Sequence, residues 1–422
     1  MIVDSRTVNN QPEPMYIDLP VIAVNDGKAR ISSTIRMDGQ DKVLWFEIDA
    51  AYRDYLSDDV LDAFVTASLL PAIVRGADIH PKGPMSSRLY YNLSNYALPL
   101  LSDYLGKPRV TKLIPAGLRS TYDKKGTGVL SGFSGGVDSF YHYYNHSGDR
   151  APPEFRITHF CFNNVGSHGQ ETDDLDRKIF DWRYGRLRKF AIDEKKPFIQ
   201  VDSNLDGFIG LHFEQTFAVR NVAVGQLLQN AMGKLLLASS NVYAETKIEP
   251  GMDMSKIEAV LLPMLGTERL DCILAGAQTT RTEKTARIAD MPATYEYLDV
   301  CITPEDAPEG YMNCSVCGKC LRTQLTLDAL GKLKEYGGVF VLERYRMLKN
   351  IYLIEIFSSR ASLQRDVRNF IRRKKFPVPF TVRVIGFFFP YFMSAWISTY
   401  ITPWLGRRKQ LPTAVRRGAL SA

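Results

Sequence analysis

Three groups of residues in this 422-residue chain have the types and spacing that chemistry requires. The first is Ser134-Gly135-Gly136-Val137-Asp138-Ser139, which follows an apolar run at 128–133 and opens a helical pattern at 138–147. Two glycines let a backbone approach a phosphate without a Cβ clash. A helix start offers free N–H groups and a positive dipole end. Ser134 and Ser139 carry hydroxyls for phosphate oxygens, and Asp138 suits either a helix cap or a magnesium ion. The alternative for this string is a tight strand-to-helix turn with Asp and Ser capping. The second group is Arg281 and Lys284, three residues apart, behind Thr280 and Glu283 in capping-box spacing. If a helix starts near Thr280, both cations share one face, where a guanidinium and an ammonium suit developing negative charge. The alternative is a solvated helix start with a surface Glu/Lys pair. The third group is Cys314-x-x-Cys317-x-x-Cys320, with Cys301 thirteen residues upstream. Four thiolates complete a tetrahedral zinc site, with Gly318-Lys319 expected at the knuckle turn and Lys319 and Arg322 offsetting thiolate charge. An iron–sulfur cluster, redox or persulfide cysteines, and unliganded core cysteines are the alternatives.

The Ser134–Ser139 string resembles the SGGxDS signature of the PP-loop ATP pyrophosphatases, the adenine nucleotide alpha hydrolase-like superfamily. No Walker G-x-x-x-x-G-K-[ST] pattern is present. The resemblance covers roughly residues 126–325. It implies a fold that binds ATP and Mg2+ across Ser134, Gly135, Gly136, Val137, Asp138 and Ser139, with the loop after the second strand, Asn163 onward, beside adenine. His168 in that loop reads as a hydrogen-bonder rather than a base. The implied chemistry is cleavage between the α and β phosphates, with Asp138, Arg281 and Lys284 as catalytic residues. The cysteine spacing is similar to the zinc knot of the 7-cyano-7-deazaguanine synthase-like branch, although Cys301 lies farther upstream than that branch's first cysteine. The expected activity is therefore an AMP-forming C–N ligase: it adenylates a carbonyl or carboxylate and transfers a nitrogen nucleophile. A thiolation enzyme acting on RNA or a nucleoside, and a membrane-anchored ATP-binding sensor or assembly subunit, are the rival readings. The expected partners are a small-molecule acceptor and ammonia or an amine, supplied free or by a separate subunit, with a homo-oligomer allowed.

These residues need elements to position them. From about 126, the apolar runs 128–133, 156–163, 197–202, 233–239 and 270–275 alternate with helical stretches at 138–147, 170–194 and 213–231. That alternation predicts a doubly wound parallel α/β sheet of Rossmann-like type, whose ligands bind at the carboxyl ends of the strands. Cys161 and Cys272 fall in predicted strands and read as buried apolar residues. Ahead of the sheet, 30–37 and 42–49 read as a hairpin turning at Asp38-Gly39, and 59–75 and 89–106 as helices. After it, 320–335 and 338–358 read as helices. The expected domains are a small α+β N-terminal domain at 1–120, the nucleotide domain with its zinc knot at 121–335, a helical extension at 336–375, and a basic aromatic tail at 376–422.

The charge is uneven. The net +7 hides a tail from Arg360 onward with thirteen Lys/Arg against one acid, Asp366, leaving −5 on the other 359 residues. Charge therefore gives no support to a general nucleic-acid patch on the body, and nucleic acid is disfavoured as a partner. Val384–Leu405 is 22 uncharged residues with four Phe, two Tyr and two Trp, flanked by basic runs. It reads first as an interfacial anchor on anionic lipid. Packing on the body or a partner, and a true span interrupted by Pro390 and Pro403, are the alternatives. The first twenty residues lack a basic-then-apolar signal pattern, and three cysteines bunch within seven residues. A cytoplasmic protein, peripheral at the inner membrane face, is the expected location.

Overall fold

The computed structural model describes residues 12–123, 125–167 and 174–388. Within them the chain folds as two compact units. One contains residues up to Phe133 with His146–Ala277, and the other Ser134–Asn145 with residues from Gln278 onward.

The first unit is α/β and is built on one large sheet. A hairpin of β1 (Lys28–Met37) and β2 (Gln40–Asp49) precedes five parallel strands: β3 (Gly128–Gly132), β4 (His159–Asn163), β5 (Phe198–Ser203), β6 (Met232–Ala238) and β7 (Asp271–Ala275). The sheet runs β7-β6-β3-β4-β5, then β2-β1, then Met15–Ile17 and Ile79–Pro81, with Val21–Asn25 paired to β1. The doubly wound order expected for 126 onward is thus present, and its topological switch lies at β3. The residues 134–139 follow that strand in the chain. The hairpin expected in a separate N-terminal domain instead joins the same sheet: β5 and β2 pair antiparallel through Asp202↔Glu47 and Ser203↔Phe46.

The pattern explains each strand. In β1, Ala29, Ile31, Ser33, Ile35 and Met37 are buried, the period-two face of a strand covered on one side. Asp38 and Gly39 both have positive φ, 52° and 70°, as a two-residue hairpin turn needs. In β6, Leu235 and Leu236 are both buried, as expected of a parallel strand covered on both faces. Phe133 stacks on Phe190 at 5.0 Å, with Phe160 and Phe198 around it. Such aromatic pairs each add about 1 kcal/mol beyond the area they bury. Cys161 and Cys272 are buried in β4 and β7, and burial pushes both thiols up to about 12.

The second unit is helical. Its longer helices are α1 (Val137–Asn145), α2 (Arg281–Ile288), α3 (Gly318–Ala329), α4 (Leu342–Ser358), α5 (Ser362–Arg373) and α6 (Phe380–Phe388), with a short helix at Pro292–Tyr297. α2 packs against α1, α3 and α5, and α4 packs against α3, α5 and α6. In α6, a Cβ on Gly386 would lie 2.6 Å from the Phe357 Cβ, so only glycine allows that approach. The start of the uncharged tail run is therefore helix packed on α4. Phe387 and Phe388 stay exposed, and residues 389–422 lie outside the described residues, as does His168. No helix among the described residues is long and apolar enough to cross a membrane.

Candidate functional site

The glycine loop is shaped by its backbone. Gly135 has φ +72°, a conformation that side chains rarely adopt. A Cβ on Gly136 would press to 3.4 Å against the Asp299 carbonyl oxygen and the Ser134 hydroxyl. Asp299 N–H donates to the Gly135 carbonyl at 2.8 Å, and the Ser139 hydroxyl donates to the Gly136 carbonyl at 2.9 Å. Ser134 is exposed, whereas Val137 and Ser139 are buried at the start of α1. Both glycines are thus set by the loop's own close backbone packing.

α2 starts as its sequence predicts. Thr280 and Glu283 form the capping box, which fixes the first turn. That turn carries both cations to one carboxylate: Arg281 Nη1 lies 2.6 Å from Asp138 Oδ2, and Lys284 Nζ lies 3.1 Å from Asp138 Oδ1. The Lys284 side chain is only 2% exposed and also faces the Tyr141 ring at 5.8 Å. Tyr141 in turn hydrogen-bonds Thr279 at 2.7 Å. The three expected catalytic residues are therefore one ion cluster. Both Asp138 oxygens face cations. Asn163 belongs to the first unit, where its amide donates to Asn221 Oδ1 at 3.0 Å.

The four cysteines converge. The sulfurs of Cys301, Cys314, Cys317 and Cys320 all lie within 4.8 Å of one another. Cys317 and Cys320 are 3.4 Å apart, and Cys314 and Cys320 are 3.9 Å apart. Tetrahedral zinc at about 2.3 Å from each sulfur requires separations of roughly 3.8 Å, so the donor set fits that ion. The backbone N–H of Cys314 points at Cys301 Sγ and that of Cys317 at Cys314 Sγ, each at 3.3 Å. Such bonds stabilise anionic sulfur. In the shared hydrogen-bond network, the bond from Cys301 holds the Cys317 thiol well below its ordinary range and brings Cys314 down to about 7. Cys301 is raised as a donor to Cys314, and Cys320 chiefly by burial. The knuckle turn sits elsewhere than expected. Ser315, not Gly318-Lys319, takes the left-handed conformation (φ 67°), and Gly318 begins α3. Ser315 is fully buried, and its hydroxyl accepts the Val341 N–H at 2.9 Å, which holds the turn in place.

Sequence reasoning gave Lys319 and Arg322 only the task of offsetting sulfur charge. Both belong to the same electrostatic group as Asp138 and Arg281. Desolvation by the surrounding protein, with Arg281 and Arg322 nearby, lowers the Lys319 pKa. The signal was available in the i, i+3 spacing of two cations on either side of Cys320. Asp299 was also missed. It holds the Gly135 carbonyl through its N–H and accepts the Cys301 N–H at 3.2 Å through its side chain, linking the loop and the cysteine cluster.

Compared with family models, curated proteins and solved structures, the chain matches none.

Proposed function

We propose that this protein is an ATP-dependent, AMP-forming C–N ligase. The observation that carries the reading is Asp138, in the glycine loop's own helix, bridging Arg281 and Lys284. Cations fixed before substrate arrives cost no reorganisation when charge develops on a leaving group. In the proposed reaction a substrate carbonyl or carboxylate oxygen attacks the α-phosphorus. The bond from that phosphorus to the bridging oxygen breaks, and pyrophosphate leaves with the electron pair. Arg281 and Lys284 take up its charge, with Lys319 and Arg322 adding to the local positive field. An amine or ammonia nitrogen then attacks the activated carbon and loses a proton, and AMP departs with the acceptor's oxygen. Magnesium, when bound, neutralises phosphate charge. The four-cysteine centre, read as structural zinc, keeps α3 and its cations in place. The acceptor belongs to the carbonyl or carboxylate class, and the deazaguanine acids are one arm of the test.

The test is pyrophosphate release from ATP across a panel of carboxylates and deazaguanine acids. Asp138→Ala would strip the buried Lys284 of its carboxylate partner, which costs several kcal/mol in comparable sites. Asp138→Asn keeps the shape and is the better variant. It should lower pyrophosphate release about 10²–10³-fold in a soluble protein. Undiminished turnover in Asp138→Asn would refute the assignment.

A further inference from the structure

The helix that bears Arg281 and Lys284 is gripped from outside its own sequence. α5 contributes Asp366, the sole acid in the thirteen-cation tail. Its Oδ2 accepts the Thr282 backbone N–H at 2.9 Å, and its Oδ1 accepts the Thr282 hydroxyl at 2.9 Å. Thr282 is buried and stands between the two catalytic cations. Farther along α5, Arg373 reaches Glu283 at 3.4 Å. α5 thus holds the first turn of α2 at two successive residues.

This grip adds to what the helix start already has. Thr280 caps the Glu283 N–H, and Glu283 returns a bond to the Thr280 N–H, so the turn is nucleated by its own residues. Asp366 takes the remaining amide of Thr282 and its hydroxyl together. A carboxylate bound through both oxygens fixes direction as well as distance. Rotation of α2 about its axis would swing Arg281 and Lys284 away from Asp138, and the Asp366–Thr282 pair opposes that rotation.

Building on the phosphate reading above, we propose that Asp366 is a positioning residue for the pyrophosphate-binding cations. The C-terminal helix α5 is thereby part of the nucleotide machinery, although it lies beyond every motif.

The experiment uses the full-length protein, inorganic pyrophosphate as the probe, and titration calorimetry. Metal content and circular dichroism are measured alongside. Asp366→Asn puts an amide against the two Thr282 donors. It should weaken pyrophosphate binding at least tenfold while leaving bound metal and helix content unchanged, and Asp366→Glu should recover part of the loss. A merely structural Asp366 would lower the melting temperature but leave the affinity of the folded protein intact. Wild-type affinity in folded Asp366→Asn overturns the proposal. If Asp366→Asn does not fold, Thr282→Val removes the hydroxyl half alone. It should lose about threefold, and no loss overturns the proposal equally. Arg281→Ala separates the two levels. If it loses pyrophosphate binding while Asp366→Asn keeps it, only the positioning role falls. If it binds as the wild type does, or the wild type binds none, the phosphate reading falls and takes this one with it.

Discussion

Asp62 shows what a single buried charge asks of this fold. Its side chain is fully buried, and its carboxylate accepts the Ser86 N–H at 2.7 Å and the Gln229 amide at 3.2 Å. Burial still outweighs those bonds and raises the carboxyl from 3.8 to about 6. A folded pKa above the unfolded one means that the folded state prefers the protonated form. Its contribution is full below about pH 4 and is lost as pH rises toward 6, a span worth about 3 kcal/mol. Asp62→Asn should remove that slope. The stability of the wild type relative to Asp62→Asn should fall between pH 4 and pH 7 in urea titrations, and a flat difference would count against the buried-acid account. No motif marks Asp62. It opens the helix Asp62–Arg75, and the Ser86 N–H and the Gln229 amide satisfy its buried carboxylate.

The knuckle and α3 belong together at the scale of elements. Ser315 turns the chain, Cys317 caps α3 and Cys320 sits in its first turn. Gln324 of α3 donates back to the Ser315 carbonyl at 3.0 Å. A metal bound by these four sulfurs would therefore contribute folding free energy to α3 directly. Cys317→Ser should lose the metal and lower the melting temperature in the same sample. Full metal content with an unchanged melt would reject the structural role. Thiol titration of the wild type adds a second reading. One zinc per chain with none of the four thiols reactive fits the ligase, whereas reactive thiols without metal fit sulfur transfer. The four-cysteine spacing made the cluster legible in the sequence, because ligand number and spacing are local properties. The turn's location was not legible, because Ser315 is held in the left-handed region by Gln324 and Val341, which lie nine and twenty-six residues away.

At the scale of the whole molecule, the basic tail can be removed without touching the helix that grips α2. A truncation after Lys375 keeps Asp366 and Arg373 and removes α6 with everything after it. If the tail holds an anionic surface, each Lys/Arg supplies about 1 kcal/mol near the lipid, and binding weakens with salt. Full-length protein should then sediment with anionic liposomes and the truncated form should not, while pyrophosphate release persists. Equal sedimentation of both forms would reject the anchor. Aggregation of the truncated form would favour packing instead, in line with Gly386 against Phe357.

The sequence alone determined the hairpin and the five parallel strands, their alternation with helices, the capping box and the metal-ligand spacing, but not the short strands Met15–Ile17, Val21–Asn25 and Ile79–Pro81. These depend on periods of two or 3.6 residues and on neighbours a few positions apart. Tertiary structure decided that the N-terminal hairpin extends the parallel sheet through β5 and β2, because strand pairing is set by backbone edges that carry no residue code. It also decided that Asp138 meets Arg281 and Lys284 across more than 140 residues of sequence, and that Asp366 meets Thr282 across 84. A carboxylate's partner is whichever donor packing delivers to it, and the packing of α2 between α1, α3 and α5 is written in buried faces rather than in any local string.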